Sequence, residues 1–173
     1  LHAHVDDTHE ARAVDIARSV APHLYVSSSA KVFPFGRELE RWTTTAANAY
    51  AQPLVDQYLK RLETGLREVG FTGPFAVSGS NGGLLTAKLA RAFPVRLLES
   101  GPAAGVLKAA ELARTGGIAA LLAFDLGGTT AKGAIVRHGQ PRKAYSFEAA
   151  HAHEQRTGSG LLMQIPVVDM IEI

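Results

Sequence analysis

The chain has no cysteine and no long apolar run, and both absences exclude classes of site. Without cysteine there is no disulfide framework, no thiolate nucleophile and no zinc–thiolate centre. No apolar run reaches the roughly 18 residues that a membrane helix needs. The first residues do not resemble a signal peptide. We therefore expect a cytoplasmic protein with no membrane-embedded part.

Neither acidic nor basic residues predominate in the chain. The 18 basic and 16 acidic residues leave a net charge of +2, and the basic residues are scattered. A nucleic-acid partner is not expected, because its surface would need basic residues clustered on one face. The 173 residues are 46% hydrophobic, enough for a sizeable core. The chain begins with Leu1 and ends in an apolar strand-like run, so we expect an internal piece of a longer protein.

Residues 1–70 are predicted to be a helical segment with one short strand. Asp7 and Glu10 have the spacing of a capping box, ahead of a helix that ends before Pro22. Its apolar face is expected at residues 13, 16, 17 and 20, and a strand at residues 24–26. Trp42 is expected to be a buried anchor, followed by helix over residues 43–69. At Pro53 either a second helix begins or one longer helix kinks, and two segments in near continuity are favoured. The charged residues of this helix, Asp56 among them, are expected on its solvated face.

Residues 71–173 are predicted to be an α/β lobe. Strands are expected at residues 75–77, 95–98, 118–124, 131–136 and 142–148, and helices at residues 84–93 and 103–114. The hairpin formed by the third and fourth of these strands makes the sheet mixed, with helices flanking it. Residues 151–160 are polar and read as a loop.

The turn between strands 118–124 and 131–136 carries the chemistry. Its sequence, DLGGTT over residues 125–130, offers backbone N–H groups, two hydroxyls and one carboxylate at one place. We assign phosphate binding to Gly127, Gly128, Thr129, Thr130 and Lys132, and a catalytic or Mg²⁺-binding role, through water, to Asp125. A plain β-hairpin with a Gly-Gly turn explains the same residues.

Two other segments are candidate parts of the site. The helix opened by SGPAAG at residues 100–105 has free N–H donors at Gly101, Ala103 and Ala104, or is a tightly packed core helix. The loop SGSNGG at residues 78–83 is expected between a strand and a helix, a position where α/β sheets bind ligands. Its candidate ligand-binding residues are Asn81, Gly82 and Gly83, and a simple turn is the alternative.

The histidines allow a weaker hypothesis. His2 and His4, and His151 and His153 with Glu154, have spacings that metal ligands also use. Because such spacing is generic, exposed polar residues near loops are the favoured interpretation.

Taken in order, these motifs resemble the hydantoinase/5-oxoprolinase A-subunit family. They are ERWTTT (residues 40–45), SNGG (80–83), SGPAAGV (100–106) and FDLGGTTAK (124–132), and the resemblance runs from about residue 23 to the end. It implies a ribonuclease H-like or actin-like ATPase lobe, present in part. No glycine-rich phosphate loop precedes residue 75, so the chain is expected to hold half of a nucleotide cleft and to be inactive alone.

The resemblance also implies a function. Members of this family open cyclic amides with ATP and Mg²⁺, activating the carbonyl by phosphorylation, with a partner B subunit or domain. Two alternatives stay open. One is an ATP-dependent ketone carboxylase subunit, which shares the carbonyl chemistry. The other is a non-catalytic nucleotide-binding module, like actin or Hsp70, that works by lobe closure.

Overall fold

The computed structural model describes residues 2–128, 130–149 and 160–172. Its first part holds three helices, α1 (Thr8–Val20), α2 (Ser29–Val32) and α3 (Glu38–Glu68). Residues 24–26 form no strand, so that prediction is wrong. The Tyr25 hydroxyl instead donates a hydrogen bond to Asp56 Oδ2 over 2.7 Å, which fixes this segment on α3 by a side chain.

Helix α1 ends before Pro22 as predicted, but its buried side is different. Ile16 and Val20 are 50% and 79% exposed, whereas Val14 is buried. The capping box is also wrong, since the Asp7 side chain makes no cap. Glu10 instead accepts hydrogen bonds from the Ser29 and Ala30 N–H groups at the start of α2, at 2.5 and 3.1 Å. Glu10 thus binds the start of another helix instead of capping its own.

Helix α3 runs unbroken for 31 residues through Pro53 and begins five residues before the predicted start. The continuous helix packs against α2 and against strand β8 (Leu161–Met163). Gly70 adopts φ +83°, as expected of a residue just past a helix end. Trp42 is 58% exposed, so its prediction as a buried anchor is wrong.

Strands β1 (Ala76–Ser78) and β2 (Leu84–Thr86) form an antiparallel hairpin, where a helix from residue 84 was predicted. Helix α4 (Ala87–Ala92) begins only after Thr86, whose hydroxyl accepts from the Leu89 N–H. The strand predicted at residues 95–98 is wrong, because Pro94–Leu97 is a 3₁₀ helix. The Val95 N–H donates to Asn48 Oδ1 of α3 rather than to a neighbouring strand.

The central sheet has the order β10–β4–β3, with β5 also on β4. Its strands are β3 (Ala120–Leu126), β4 (Ala131–Arg137), β5 (Gln140–Pro141) and β10 (Ile171–Glu172). Helix α5 (Ser100–Thr115) covers one face, where Ala103, Val106 and Ala110 pack with Ala134 and Val136. The α/β class with flanking helices is confirmed, and every strand pair in the described residues is antiparallel.

The single return strand predicted at residues 142–148 is wrong, because these residues form two short strands that pair with different partners. β6 (Lys143–Ala144) pairs with β9 (Val167–Val168), and β7 (Phe147–Ala149) pairs with β8. Around them a second core forms, from Val32, Val95, Met163, Ile165 and Val167. The loop predicted at residues 151–160 lies outside the described residues except for Gly160.

None of the helices within the described ranges has the length and hydropathy needed to cross a bilayer. The division of the chain at residue 70 stays a prediction.

Candidate phosphate-binding site

A short glycine turn joins strands β3 and β4. The Gly127 N–H donates to the Thr130 carbonyl over 3.0 Å, which closes the turn. A Cβ added to Gly128 would meet no atom within 4 Å, so the backbone there is free to approach a ligand. Gly127 and Gly128 are exposed and Thr130 is half-buried. Thr129 lies outside the described residues.

Asp125 lies in a row of charged residues across the sheet. It is opposite Lys132 on β4, and Lys132 is opposite Glu172 on β10. Residues opposite each other on neighbouring strands share a face, and β4 alternates so that Lys132 shares the face of buried Ala134 and Val136. The row therefore lies on the face covered by α5. Asp125 is exposed, and within the described ranges its carboxylate makes no hydrogen bond or ion pair.

Lys132 joins this row to the start of α5. Its ammonium binds the Glu99 carboxylate closely and lies 3.6 Å from Glu172 Oε2, with only 15% of the side chain exposed. Glu99 immediately precedes α5 and adopts φ +59°. No sequence pattern points to Glu99, because nothing local relates it to a lysine 33 positions later. A role of Lys132 at the phosphate stays a prediction.

The three candidates at the start of α5 have different surroundings. Gly101 is exposed, and an added Cβ would meet nothing within 4 Å. Ala103 is fully buried in the core and Ala104 is half-buried. Each of the two interpretations of this helix therefore holds for a different residue. Ala103 packs in the core, whereas the backbone at Gly101, close to Glu99, is open to a ligand.

The 78–83 segment is a hairpin loop rather than a strand-to-helix connection. Asn81 Oδ1 accepts from the Gly83 N–H over 2.8 Å, and Gly82 has φ +81°. These are the features of the turn interpretation. Asn81 also lines a cavity of about 760 Å³ whose described lining includes no residue of the Asp125 turn. The structure thus pairs the Asp125 turn with α5 and places Asn81 at a separate cavity.

The residues present at the turn fit a Mg²⁺-bound polyphosphate. Mg²⁺ keeps most of its waters and is typically held by one or two carboxylates with substrate phosphates, so one exposed carboxylate suffices. The N–H of exposed Gly128 and the Thr130 hydroxyl supply donors for phosphate oxygens. No group of three acidic, histidine or cysteine side chains able to hold a metal occurs in the described part of the chain. ATP and Mg²⁺ at this turn stay predictions.

Two side-chain networks elsewhere correct other expectations. Arg41 is buried, and its Nη1 lies 3.0 Å from His4 Nδ1, so His4 is a packing partner rather than an exposed polar residue. Asp56 is also buried, contrary to its prediction on a solvated face. His151, His153 and Glu154 lie outside the described residues.

The carboxylate of Asp56 is stabilised by three partners. Arg91 Nε lies at 2.6 Å, Lys60 Nζ at 2.7 Å and the Tyr25 hydroxyl at 2.7 Å. Burial raises the pKa of this carboxyl, but the three hydrogen bonds outweigh burial and bring the pKa to about 2. In turn, the bond to Asp56 raises the pKa of the Tyr25 hydroxyl. The network ties α3 to α4, so its role is structural.

Comparison with known proteins finds a matching family and several relatives. Residues 41–173 match the model of the hydantoinase/oxoprolinase family. Caprolactamase subunit alpha of Pseudomonas jessenii is 35% identical over 71% of the chain. The 5-oxoprolinase of Saccharomyces cerevisiae is 29% identical over 98% of it, and the acetone carboxylase beta subunit of Xanthobacter autotrophicus 28% over 81%. The chain spans only 18%, 12% and 20% of these relatives' lengths.

Two solved structures share the fold. The nucleotide-free structure of acetone carboxylase, from a study of ATP-dependent acetone carboxylation, has a TM-score of 0.79 over 100% of the chain at 24% identity. The ATP-dependent caprolactamase of Pseudomonas jessenii has a TM-score of 0.76 over 99% of the chain at 25% identity. The chain covers 23% of each.

Proposed function

Because this chain belongs to the hydantoinase/oxoprolinase family, we propose that it is the phosphate-binding part of an enzyme that opens cyclic amides with ATP. The observation that carries the proposal is the Asp125 carboxylate, exposed and without a partner in the described residues, beside an open glycine turn. Two relatives that bear on the reaction are a caprolactamase and a 5-oxoprolinase, and the caprolactamase is ATP-dependent.

The chemistry explains why such a turn is needed. An amide carbonyl is a poor electrophile, and ATP, when bound, would supply a phosphoryl group to the carbonyl oxygen that opens the carbon to attack by water. The ring C–N bond then breaks, the nitrogen takes a proton, and hydrolysis of the phosphoryl ester releases phosphate and the ring-opened amino acid. Catalysis of phosphoryl transfer consists mainly of positioning and neutralising charge. In this chain, Gly128 and Thr130 would position phosphate oxygens through N–H and hydroxyl groups. Asp125 would hold the hydrated Mg²⁺.

The Glu99–Lys132 pair would keep this turn in place. It joins β4 to the residue before α5, so the turn and the helix start are held at a fixed separation. Because the Lys132 ammonium is engaged by Glu99 and Glu172, Asp125 keeps its charge free for the cation. Lys132 is therefore proposed as a positioning residue.

A ketone carboxylase is the second candidate. It is favoured by the 28% identity to the acetone carboxylase beta subunit over 81% of the chain. The two candidates share carbonyl activation and differ in the second substrate, water or bicarbonate.

The names of two relatives also specify subunits, which supports a partner B subunit for this protein. A cytoplasmic location remains part of the proposal.

Product analysis with the polypeptide that carries this chain, together with any partner subunit, tests the proposal. It would be incubated with Mg-ATP and either a panel of cyclic amides or a ketone with bicarbonate. We expect ADP release coupled to formation of a ring-opened amino acid. Coupling of ADP release to a carboxylated ketone would establish the second candidate. Absence of coupling to either substrate would refute both.

A further inference from the structure

The cavity beside Asn81 has the size of a ligand site. Its volume of about 760 Å³ lies within the range of small-molecule pockets. It is bounded by the segment after α2, by the 3₁₀ helix and by the segment between β8 and β9. None of the residues assigned to the phosphate turn lines it, so its occupant would be a different molecule from the nucleotide tail.

The charge of the lining has one sign. Arg37 and Arg96 line the cavity, and the described lining contains no Asp or Glu. Arg37 lies 3.5 Å from Glu40, but the Arg37 side chain is 69% exposed, so this ion pair is weak. Arg96 forms no ion pair in the described part of the chain. Among the described residues, an anion entering the cavity would find Arg96 without an ion-pair partner and Arg37 in a weak, exposed pair with Glu40.

Arg96 is also well positioned. Its guanidinium carbon lies 4.7 Å from the centroid of the Phe93 ring, a cation–π contact that limits its motion. The Arg96 carbonyl accepts bonds from the N–H and hydroxyl of Ser80, at 2.8 and 2.7 Å. Ser80 itself is only 2% exposed. The backbone that carries this guanidinium is therefore fixed to the loop containing Asn81.

Further polar groups and an apolar wall complete the lining. The Tyr145 hydroxyl and the Gln164 carboxamide make no hydrogen bond within the described residues. Phe33 and Phe35 lie in contact, with ring centroids 5.1 Å apart, and Ile165 extends this apolar surface. An apolar wall beside a few polar groups is the usual composition of a site for a small ring-bearing molecule.

We propose that this cavity is a binding site for a small carboxylate that carries a planar ring. The Arg96 guanidinium binds the carboxylate, assisted by Arg37, because a guanidinium matches carboxylate geometry with paired donors. The ring lies against Phe33 and Phe35. The proposal does not depend on the proposed function, since it uses none of the residues of the phosphate turn.

Calorimetric titration of the chain with three probes of one shape tests the charge requirement. The probes are 2-naphthoate, its neutral carboxamide, and the cationic 2-naphthylmethylamine. We expect 2-naphthoate to bind about tenfold more tightly than the carboxamide, the value of one charge-assisted hydrogen bond. The amine should not bind. Equal affinity for the acid and the carboxamide, or no binding of the acid, would overturn the proposal.

Variants locate the anion. Arg96→Met keeps an apolar stem on Phe93 and should weaken 2-naphthoate binding about tenfold, with carboxamide binding unchanged. Arg96→Lys should keep part of the affinity, and Arg18→Met on exposed α1 is the matched control, expected to bind as wild type. Near-ultraviolet circular dichroism checks that each variant folds. If Arg96→Met does not fold, Arg37→Met replaces it. Wild-type affinity in the folded variant overturns the assignment.

Competition with nucleotide separates this proposal from the proposed function. Mg-ATP at saturation should leave 2-naphthoate affinity unchanged, because the two lie on different residues. Displacement of 2-naphthoate by ATP would overturn the carboxylate assignment. Loss of ATP binding in Asp125→Asn with retained 2-naphthoate binding would support both proposals, because it would show two separate sites.

Discussion

Lys132 lies directly opposite Asp125 on the neighbouring antiparallel strand, yet its ammonium binds Glu99 and Glu172 instead. Opposite charges in that register ordinarily pair. The lysine is drawn away by two carboxylates, one before α5 and one on β10. As a result Asp125 has an exposed carboxylate without a partner in the described residues.

Asp125→Asn should weaken Mg-ATP binding without affecting the fold. The side chain has no partner to lose within the described residues, so we expect the melting temperature to change by less than about 2 °C. Loss of one charge at a Mg²⁺ site should lower affinity about tenfold or more. Displacement of a fluorescent ATP analogue measures the affinity, with Asp15→Asn, an exposed residue of α1, as control. Wild-type affinity in Asp125→Asn would remove Asp125 from the site.

Lys132→Met should affect both stability and binding. Glu99 would lose its close ion-pair partner while remaining mostly buried, which we expect to cost about 1–3 kcal/mol in free energy of unfolding. ATP affinity should also fall, because Glu99 and Glu172 would add uncompensated negative charge near the turn. Urea denaturation and nucleotide titration measure the two effects.

The double variant Lys132→Met with Glu99→Gln separates these causes. It removes the unpaired carboxylate, so we expect it to recover most of the lost stability. A double variant as unstable as Lys132→Met alone would mean that packing of the lysine stem, rather than charge, is what matters.

Asp56 should make stability depend on acid pH. Its pKa of about 2 in the folded protein lies below the ordinary value of 3.8. The folded state therefore binds fewer protons than the unfolded state, and stability from this group is complete above about pH 4 and lost as pH falls through about 2. Asp56→Asn should cost roughly 2–4 kcal/mol near neutral pH.

Urea denaturation of wild type and Asp56→Asn at a series of pH values tests this expectation. Because the other carboxyl groups are common to both proteins, the difference between the two isolates Asp56. It should shrink as pH falls from 4 to 2. A difference that stays constant with pH would show that the carboxylate charge contributes nothing.

Gly82 and Gly105 provide a matched pair of alanine substitutions. Gly82 has φ +81°, and an added Cβ would lie 2.5 Å from Leu107 Cδ1, so Gly82→Ala should destabilise by about 1–3 kcal/mol. Gly105 lies inside α5 with nothing within 4 Å of an added Cβ, so Gly105→Ala should stabilise by about 0.5–1 kcal/mol. Thermal unfolding distinguishes them, and destabilisation by both would contradict the account of α5.

Local signals predicted the parts of the fold that depend on local chemistry. The Gly-Gly turn with apolar runs on both sides predicted the β3–β4 hairpin, and Gly101-Pro102 predicted the start of α5. The helix end before Pro22 is confirmed for the same reason, since proline and glycine act on their own neighbourhood.

The parts that failed depend on residues distant in sequence. Residues 95–97 form a 3₁₀ helix partly because Asn48 binds the Val95 N–H, and Asp56 is buried because Arg91 comes from another helix. Within the candidate site, the hairpin turn was predictable, but the Glu99–Lys132 pair was not. Helix period and strand alternation carry no information on such contacts.

Nuclear magnetic resonance can map where a nucleotide binds and so decide whether the Asp125 turn holds its phosphates. The chain, labelled with ¹⁵N, would be titrated with a nonhydrolysable ATP analogue and Mg²⁺, and backbone amide shifts would be followed. We predict the largest changes at Gly127, Gly128 and Thr130, with smaller ones at Gly101. Changes confined to the cavity around Arg96, with the turn unaffected, would contradict the account.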